Sequence, residues 1–133
     1  MAAVKGYKGK VNAWGKEREV FRVKYDFAVD GGAVGALDLF VAEGILIVES
    51  AKMAIKTTCT SGGSATVSVG KTGDLTGMIG ATAVASLVAD AAIFGAAQDA
   101  SHVVPDGTVV KMDIATAALT AGAIDFMFEV QKF

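Results

Sequence analysis

The sequence predicts an all-β fold: a single antiparallel β-sandwich of jelly-roll type, preceded by an extended N-terminal arm. Three observations carry that prediction. Several segments alternate apolar and polar residues with period two, the pattern of strands with one face in a core and one in water. The chain has 16 Gly and one Pro among 133 residues, a balance suited to strands joined by tight turns with positive φ. Similar strand–turn–strand units recur along the chain, as in sandwiches and jelly rolls and unlike α/β folds.

Length and composition set the frame. A chain of 133 residues makes one domain and buries roughly two thirds of its unfolded surface, so it needs no staple. With 53% hydrophobic and 20% charged residues, it is not a disordered chain. The single cysteine, Cys59, excludes an internal disulfide framework and a Cys-based zinc cluster, and reads as a small, inert strand residue. Residues 1–16 are too polar for the apolar region of a secretory signal, so synthesis in a reducing cytoplasm is expected. The net charge is −2, but residues 1–16 carry Lys5, Lys8, Lys10 and Lys16 and no acid, leaving −6 for residues 17–133. A basic arm on an acidic body can reach an acidic neighbour, including another copy of the chain. Four lysines with only Tyr7 and Trp14 as aromatics are a weak nucleic-acid signal, and none is expected as partner.

The elements follow in order. Residues 1–16 lack periodicity and form the arm; Trp14 is large enough to require docking. Residues 19–29 (EVFRVKYDFAV) are the clearest strand. Phe21, Val23, Tyr25, Phe27 and Val29 share one face, and Asp30-Gly31-Gly32 ends it. Residues 36–41 form a second strand. Residues 45–59 form a third, long enough to expect a bulge near Glu49 to Ala51. Ser61-Gly62-Gly63-Ser64 reads as a hairpin turn returning through residues 65–69. Residues 75–98 are ambiguous: alanine favours helix, whereas the glycines oppose a long one. The reading adopted is a helical turn over 75–80 and strands over 83–88 and 91–94. Pro105-Asp106-Gly107 is a turn. Residues 108–115 form a strand with Val110, Met112 and Ile114 inward. Ala121-Gly122 turns the chain, and residues 123–130 alternate again with Ile124, Phe126, Phe128 and Val130 inward.

Residues 55–69 and 114–128 share one design. Ile55 matches Ile114, Thr57 matches Thr116 and Gly63 matches Gly122, and an apolar return face follows in each. Both read as hairpins with a Ser/Thr-led turn.

Chemistry-bearing motifs fall short. Gly70-Lys71-Thr72 has the tail of a phosphate-binding loop, but Ala65 stands where the first Gly is required. Ser101, His102 and Asp106 contain the residue types of a triad, yet neighbours in a loop do not make one, and His102 reads as an exposed loop residue. One His and one Cys leave no ordinary transition-metal site. Asp74, Asp90, Asp99 and Asp106 are too dispersed for a calcium loop. No catalytic, cofactor or metal residue is nominated. The apolar run 75–97 contains Asp90 and several glycines, which argues against a membrane span and for burial in the core or against other subunits.

Residues 21–32 (FRVKYDFAVDGG), 57–70 (TTCTSGGSATVSVG), 81–86 (ATAVAS) and 115–130 (ATAALTAGAIDFMFEV) resemble small β-sandwich proteins of tailed-bacteriophage particles. The likeness touches about half of the chain, mostly strands and glycine turns, with motifs that are structural and only moderately specific. Residues 41–47 (VAEGILI) depart from it. The resemblance implies a capsid decoration or cement protein, a homotrimer that binds the major capsid protein on the outer head lattice, with no catalytic residues to carry over. A tail or fibre component is the variant within that class. The arm residues Lys5, Tyr7, Lys8, Lys10, Trp14 and Lys16 are then the partner-binding candidates. The alternative outside the class is a carbohydrate-binding jelly roll. That module requires exposed aromatics, whereas Phe21, Phe27, Phe126 and Phe128 lie on apolar faces.

Overall fold

The computed structural model describes residues 10–11, 18–95 and 99–132. Ten strands form two sheets: β1 (Lys10–Val11), β2 (Glu19–Asp26), β3 (Gly35–Ala42), β4 (Leu46–Ser61), β5 (Thr66–Lys71), β6 (Asp74–Ala83), β7 (Ala92–Phe94), β8 (Val103–Val104), β9 (Val109–Ala115) and β10 (Leu119–Lys132). One sheet has the order β1-β3-β9-β5-β6. The other has β2-β10-β4-β7, with β8 also paired to β4. Apart from the parallel β1–β3 pair, every pairing among the described residues is antiparallel. Without β1 and β8, the two four-stranded sheets have the strand order of an eight-stranded jelly roll. The fold expected from the sequence is therefore the fold found.

The core lies between the sheets. Alternation places Val23 and Tyr25 of β2, Met53 and Ile55 of β4, Val110, Met112 and Ile114 of β9, and Ile124, Phe126, Phe128 and Val130 of β10 in it. Phe21, Phe40 and Phe128 form a ring cluster spanning both sheets. Phe40 meets Phe21 and Phe128 edge-on at centroid distances of 5.0 Å, and Phe21 stacks on Phe128 at 5.5 Å. Such contacts add to the area each ring buries. The bulge expected in the third strand is present. Ser50 pairs with Glu129 and Val48 with Val130, which makes Glu49 the extra residue.

Several expectations are corrected. β2 stops at Asp26, and Phe27–Asp30 forms one helical turn, α1. The Asp26 carboxylate accepts from the Ala28 backbone N–H at 3.0 Å, and Gly31, at φ +76°, donates back to the Phe27 carbonyl. Val29 thereby leaves the core face and is exposed, while Phe27 is half-buried. Residues 75–80 belong to strand β6 and not to a helical turn, and the expected strand over 83–88 is replaced by a 3-10 turn over Val84–Ser86. The expected strand over 91–94 is present as β7.

The two expected hairpins are not hairpins. β4 lies in one sheet and β5 in the other, so residues 62–65 cross the sandwich. The second crossing is at residues 116–118, between β9 and β10, with Thr116 at φ +74°. Gly122 does not turn the chain; it sits inside β10 at φ +140°, where the register with β4 shifts. The shared design of the two segments therefore marks two crossings lying side by side, because β4 pairs with β10 and β5 with β9. Side chains tie them together: the Thr60 and Thr120 hydroxyls are 2.7 Å apart, and Ser61 donates to the Ala118 carbonyl at 2.7 Å.

Candidate interaction surfaces

Of the arm residues named from the sequence, Lys5, Tyr7, Lys8, Trp14 and Lys16 lie outside the described residues. Lys10 lies within them, and its placement is informative: Lys10 and Val11 pair in parallel with Val41 and Ala42. At this point the chain extends the sheet edge beyond β3.

The residue types of a triad are placed apart. The Asp106 carboxylate accepts from the Gly44 backbone N–H at 2.9 Å, at another corner of the fold. Ser101 and His102 belong to a 3-10 turn, Ala100–His102, capped by Asp99. The Asp99 carboxylate accepts from the Ser101 N–H at 2.8 Å and from its hydroxyl at 2.5 Å. His102 Nδ1 accepts from the Asp99 N–H at 3.4 Å. The hydrogen bonds from Ser101, side chain first and backbone second, hold the Asp99 carboxyl below its ordinary pKa. His102 is buried, not exposed as the sequence suggested. The arrangement closes a turn and engages the Ser101 hydroxyl with the Asp99 carboxylate and the Gly77 carbonyl. The signal that finds it in sequence is Asp followed three residues later by a side chain able to accept, the logic of a capping box.

Gly70-Lys71-Thr72 is likewise structural. The Lys71 ammonium donates to the carbonyls of Val103 (2.9 Å) and Ala100 (3.3 Å), and Thr72 donates to the Val109 carbonyl. A Cβ at Gly70 would collide with the Asp74 carbonyl, so the glycine permits the tight β5–β6 hairpin. Cys59 is buried beside Gly122, and burial pushes its thiol pKa up, away from the thiolate form. Among the described residues, no group of three or more His, Cys, Asp or Glu converges as a metal site. No helix among them is long and apolar enough to cross a membrane.

The outer face of the β2-β10-β4-β7 sheet carries a shallow groove of about 330 Å³, lined by Lys24, Tyr25, Asp26, Lys56, Ala123 and Asp125. Two lysines face two aspartates, and Asp125 is 3.5 Å from Arg22, so the groove has no dominant charge. Tyr25 offers it no sugar-stacking ring. Tyr25 is buried, and its hydroxyl donates to the Gly31 carbonyl at 2.6 Å. Phe94 is the exposed aromatic among the described residues, and it stands alone, without the aromatic strip that a sugar-binding face requires.

Fold and surfaces together define a jelly-roll module whose recognisable polar clusters serve its own turns. No protein-family model matches the chain, and no curated protein matches it. Its fold is shared by solved structures. A chain in the capsid of Ralstonia phage GP4 superimposes with a TM-score of 0.62 at 17% identity, over 86% of this chain and 85% of that one. A chain in the cyanophage Pam1 capsid asymmetric unit also gives a TM-score of 0.62, at 19% identity, over 87% of this chain and 85% of its own length. At such identities the likeness is one of fold.

Proposed function

We propose that this chain is a non-enzymatic structural protein of a bacteriophage virion. More specifically, it is a capsid decoration (cement) protein that binds the major capsid protein on the outer head lattice as a homotrimer. The observation that carries the reading is the jelly roll shared over almost the whole chain with chains from two phage capsids. The partition of side chains supports it: the Ser, His, Asp and Lys residues that suggest chemistry in the sequence are occupied in closing turns. In this reading Lys5, Tyr7, Lys8, Lys10, Trp14 and Lys16 form the partner-binding arm. The protein is made in the host cytoplasm and resides on the capsid surface. Among the described residues Phe94 is the one exposed large aromatic, which disfavours the carbohydrate-binding alternative.

The test is addition of the purified chain to undecorated phage heads, with bound copies counted and head survival followed on heating. Saturable binding and more heat-resistant heads are expected. Deleting residues 1–9 leaves β1 in place and removes Tyr7, Lys5 and Lys8. Loss of one desolvated aromatic anchor, worth about 2 kcal/mol, corresponds to an affinity about 30-fold weaker. Absence of binding to heads, together with binding to a glycan, would overturn the reading.

A further inference from the structure

One edge of the sandwich is built unlike the others. It consists of β6 from one sheet, β7 from the other and the connection between them. Among the described residues, β6 is paired only to β5, and β7 only to β4. Neither strand carries the lysines or prolines that commonly protect an exposed sheet edge. The β2 edge, by contrast, displays Arg22, Lys24 and Asp26. Phe94 is 71% exposed and Val88 46%, and Ala81, Ala83, Ala85, Ala89 and Ala92 are exposed around them. The two halves form one surface. A Cβ at Gly95 would lie 2.6 Å from the Ala51 carbonyl and 2.7 Å from the Met78 carbonyl, so the chain passes tightly between β4 and β6.

Between Lys71 and Lys111 the sequence has no Lys or Arg, and its acids are Asp74, Asp90, Asp99 and Asp106. Asp74 and Asp99 meet at one end of the edge. A Cβ on Gly77 would be 2.7 Å from the Asp74 carboxylate and 2.6 Å from Ser101, and Ser101 is bonded to Asp99. Asp90 lies toward the other end, its N–H donating to the Ile55 carbonyl. Of the nearby cations, Lys71 is engaged on backbone carbonyls and Lys56 lines the groove over β2 and β10, while Lys52 stands beside Phe94 as its cross-strand partner.

We propose that this edge binds the basic N-terminal segment, residues 1–9, of a second copy of the chain. The charges are complementary: the arm has lysines and no acid, and the edge has acids and no lysine or arginine of its own. Gly95 and Ser101 cover the Met78 and Gly77 carbonyls, which leaves Ile79 to Ala83, about 17 Å of edge, within reach of a nine-residue segment that spans about 30 Å when extended. Topology favours a second copy over the same one. β1, where the arm joins the sheet, is at the edge opposite β6, four strand spacings or about 19 Å away. A neighbour that sets its β1 edge against this β6 edge delivers its arm directly, and a head-to-tail contact of this kind makes a ring where the rotation between copies closes and a filament where it does not. The inference deepens the reading that the arm is a binding element. It does not depend on where in a particle the protein sits.

The test uses the full chain alone, with no capsid present, and sedimentation to read self-association. Ala81→Lys/Ala92→Lys places lysines on exposed positions of the edge, and Lys5→Glu/Lys8→Glu reverses the arm. Each pair is expected to weaken association at least tenfold, and a rise from 50 to 500 mM salt is expected to weaken the unaltered protein severalfold, because exposed charges are screened. Mixing the two variants is the decisive step, since the reversed arm of one then meets the lysine-bearing edge of the other. Recovered association in the mixture is expected. A mixture that stays monomeric, a monomeric unaltered protein, or variants that associate as it does would overturn the proposal. Capsid binding is read separately: a monomer that still binds heads sinks the arm–edge contact and the homotrimer but leaves the virion role standing.

Discussion

Gly122 offers a sharp test of the packing. It sits inside β10 at φ +140°, and a Cβ there would stand 2.5 Å from the Cys59 sulfur, 3.0 Å from the Cys59 backbone and 3.1 Å from the Cys59 Cβ. Gly35, at the start of β3, has the same φ of +140° but nothing within 4 Å of its Cβ position. The two glycines therefore separate backbone strain from steric conflict. Gly35→Ala carries strain alone, about 1–3 kcal/mol. Gly122→Ala carries that strain plus overpacking of about 1–3 kcal/mol more. The expected difference between the variants is thus about 2 kcal/mol, a large fraction of the 5–15 kcal/mol typical of whole domains. Urea unfolding reads it as a midpoint lower by about 1 M for Gly122→Ala, given slopes of about 1–3 kcal/mol/M. Cys59→Ala removes the sulfur but leaves the backbone of residue 59 in place, so the double variant should recover about 1 kcal/mol relative to additivity. Equal midpoints for Gly35→Ala and Gly122→Ala, or strict additivity with Cys59→Ala, would refute the placement of Gly122 against β4.

Two further outcomes follow from the core. Phe128→Ala removes the ring shared by Phe21 and Phe40, and is expected to cost about 3–5 kcal/mol, measured by the same unfolding curves. Tyr25→Phe removes the hydrogen bond to the Gly31 carbonyl, at about 1 kcal/mol. The Tyr25 hydroxyl is pushed up to about 12, first by burial and then by negative charge at Cys59, Asp30 and Asp26. Because the folded value lies above the unfolded one of about 10, this group's contribution is intact below about pH 10 and is lost as pH rises from there toward about 12. Tyr25→Phe should therefore flatten the alkaline fall in unfolding midpoint; an unchanged fall would remove Tyr25 as its source.

Alternation in 108–115 and 123–130 identifies the inward faces of β9 and β10 residue by residue, because a side-chain period of two is a local property of the strand. The bulge at Glu49 is legible from strand length. Val29 is misplaced because Asp26 caps a helical turn with its own backbone neighbours, a competition that periodicity does not register. His102 is misplaced because burial depends on what packs over a turn, here strands β4, β5 and β6, which are distant in sequence. Of the partner-binding candidates, only Lys10 falls among the described residues, and its pairing with Val41 has no signal in the sequence around it.

Local residue order was thus enough to establish that the chain is all-β, which side chains enter most of the core, where most turns fall, and that residues 1–16 are basic while the remainder is acidic. Where each strand goes after its turn was settled by packing at long range. Ser61-Gly62-Gly63-Ser64 has the chemistry of a hairpin, yet it carries the chain across the sandwich, because β4 is claimed by β10 and β5 by β9. Turn chemistry fixes that the chain changes direction. Which edge receives the next strand is fixed by burying two apolar faces against each other, a choice made among residues far apart in the chain.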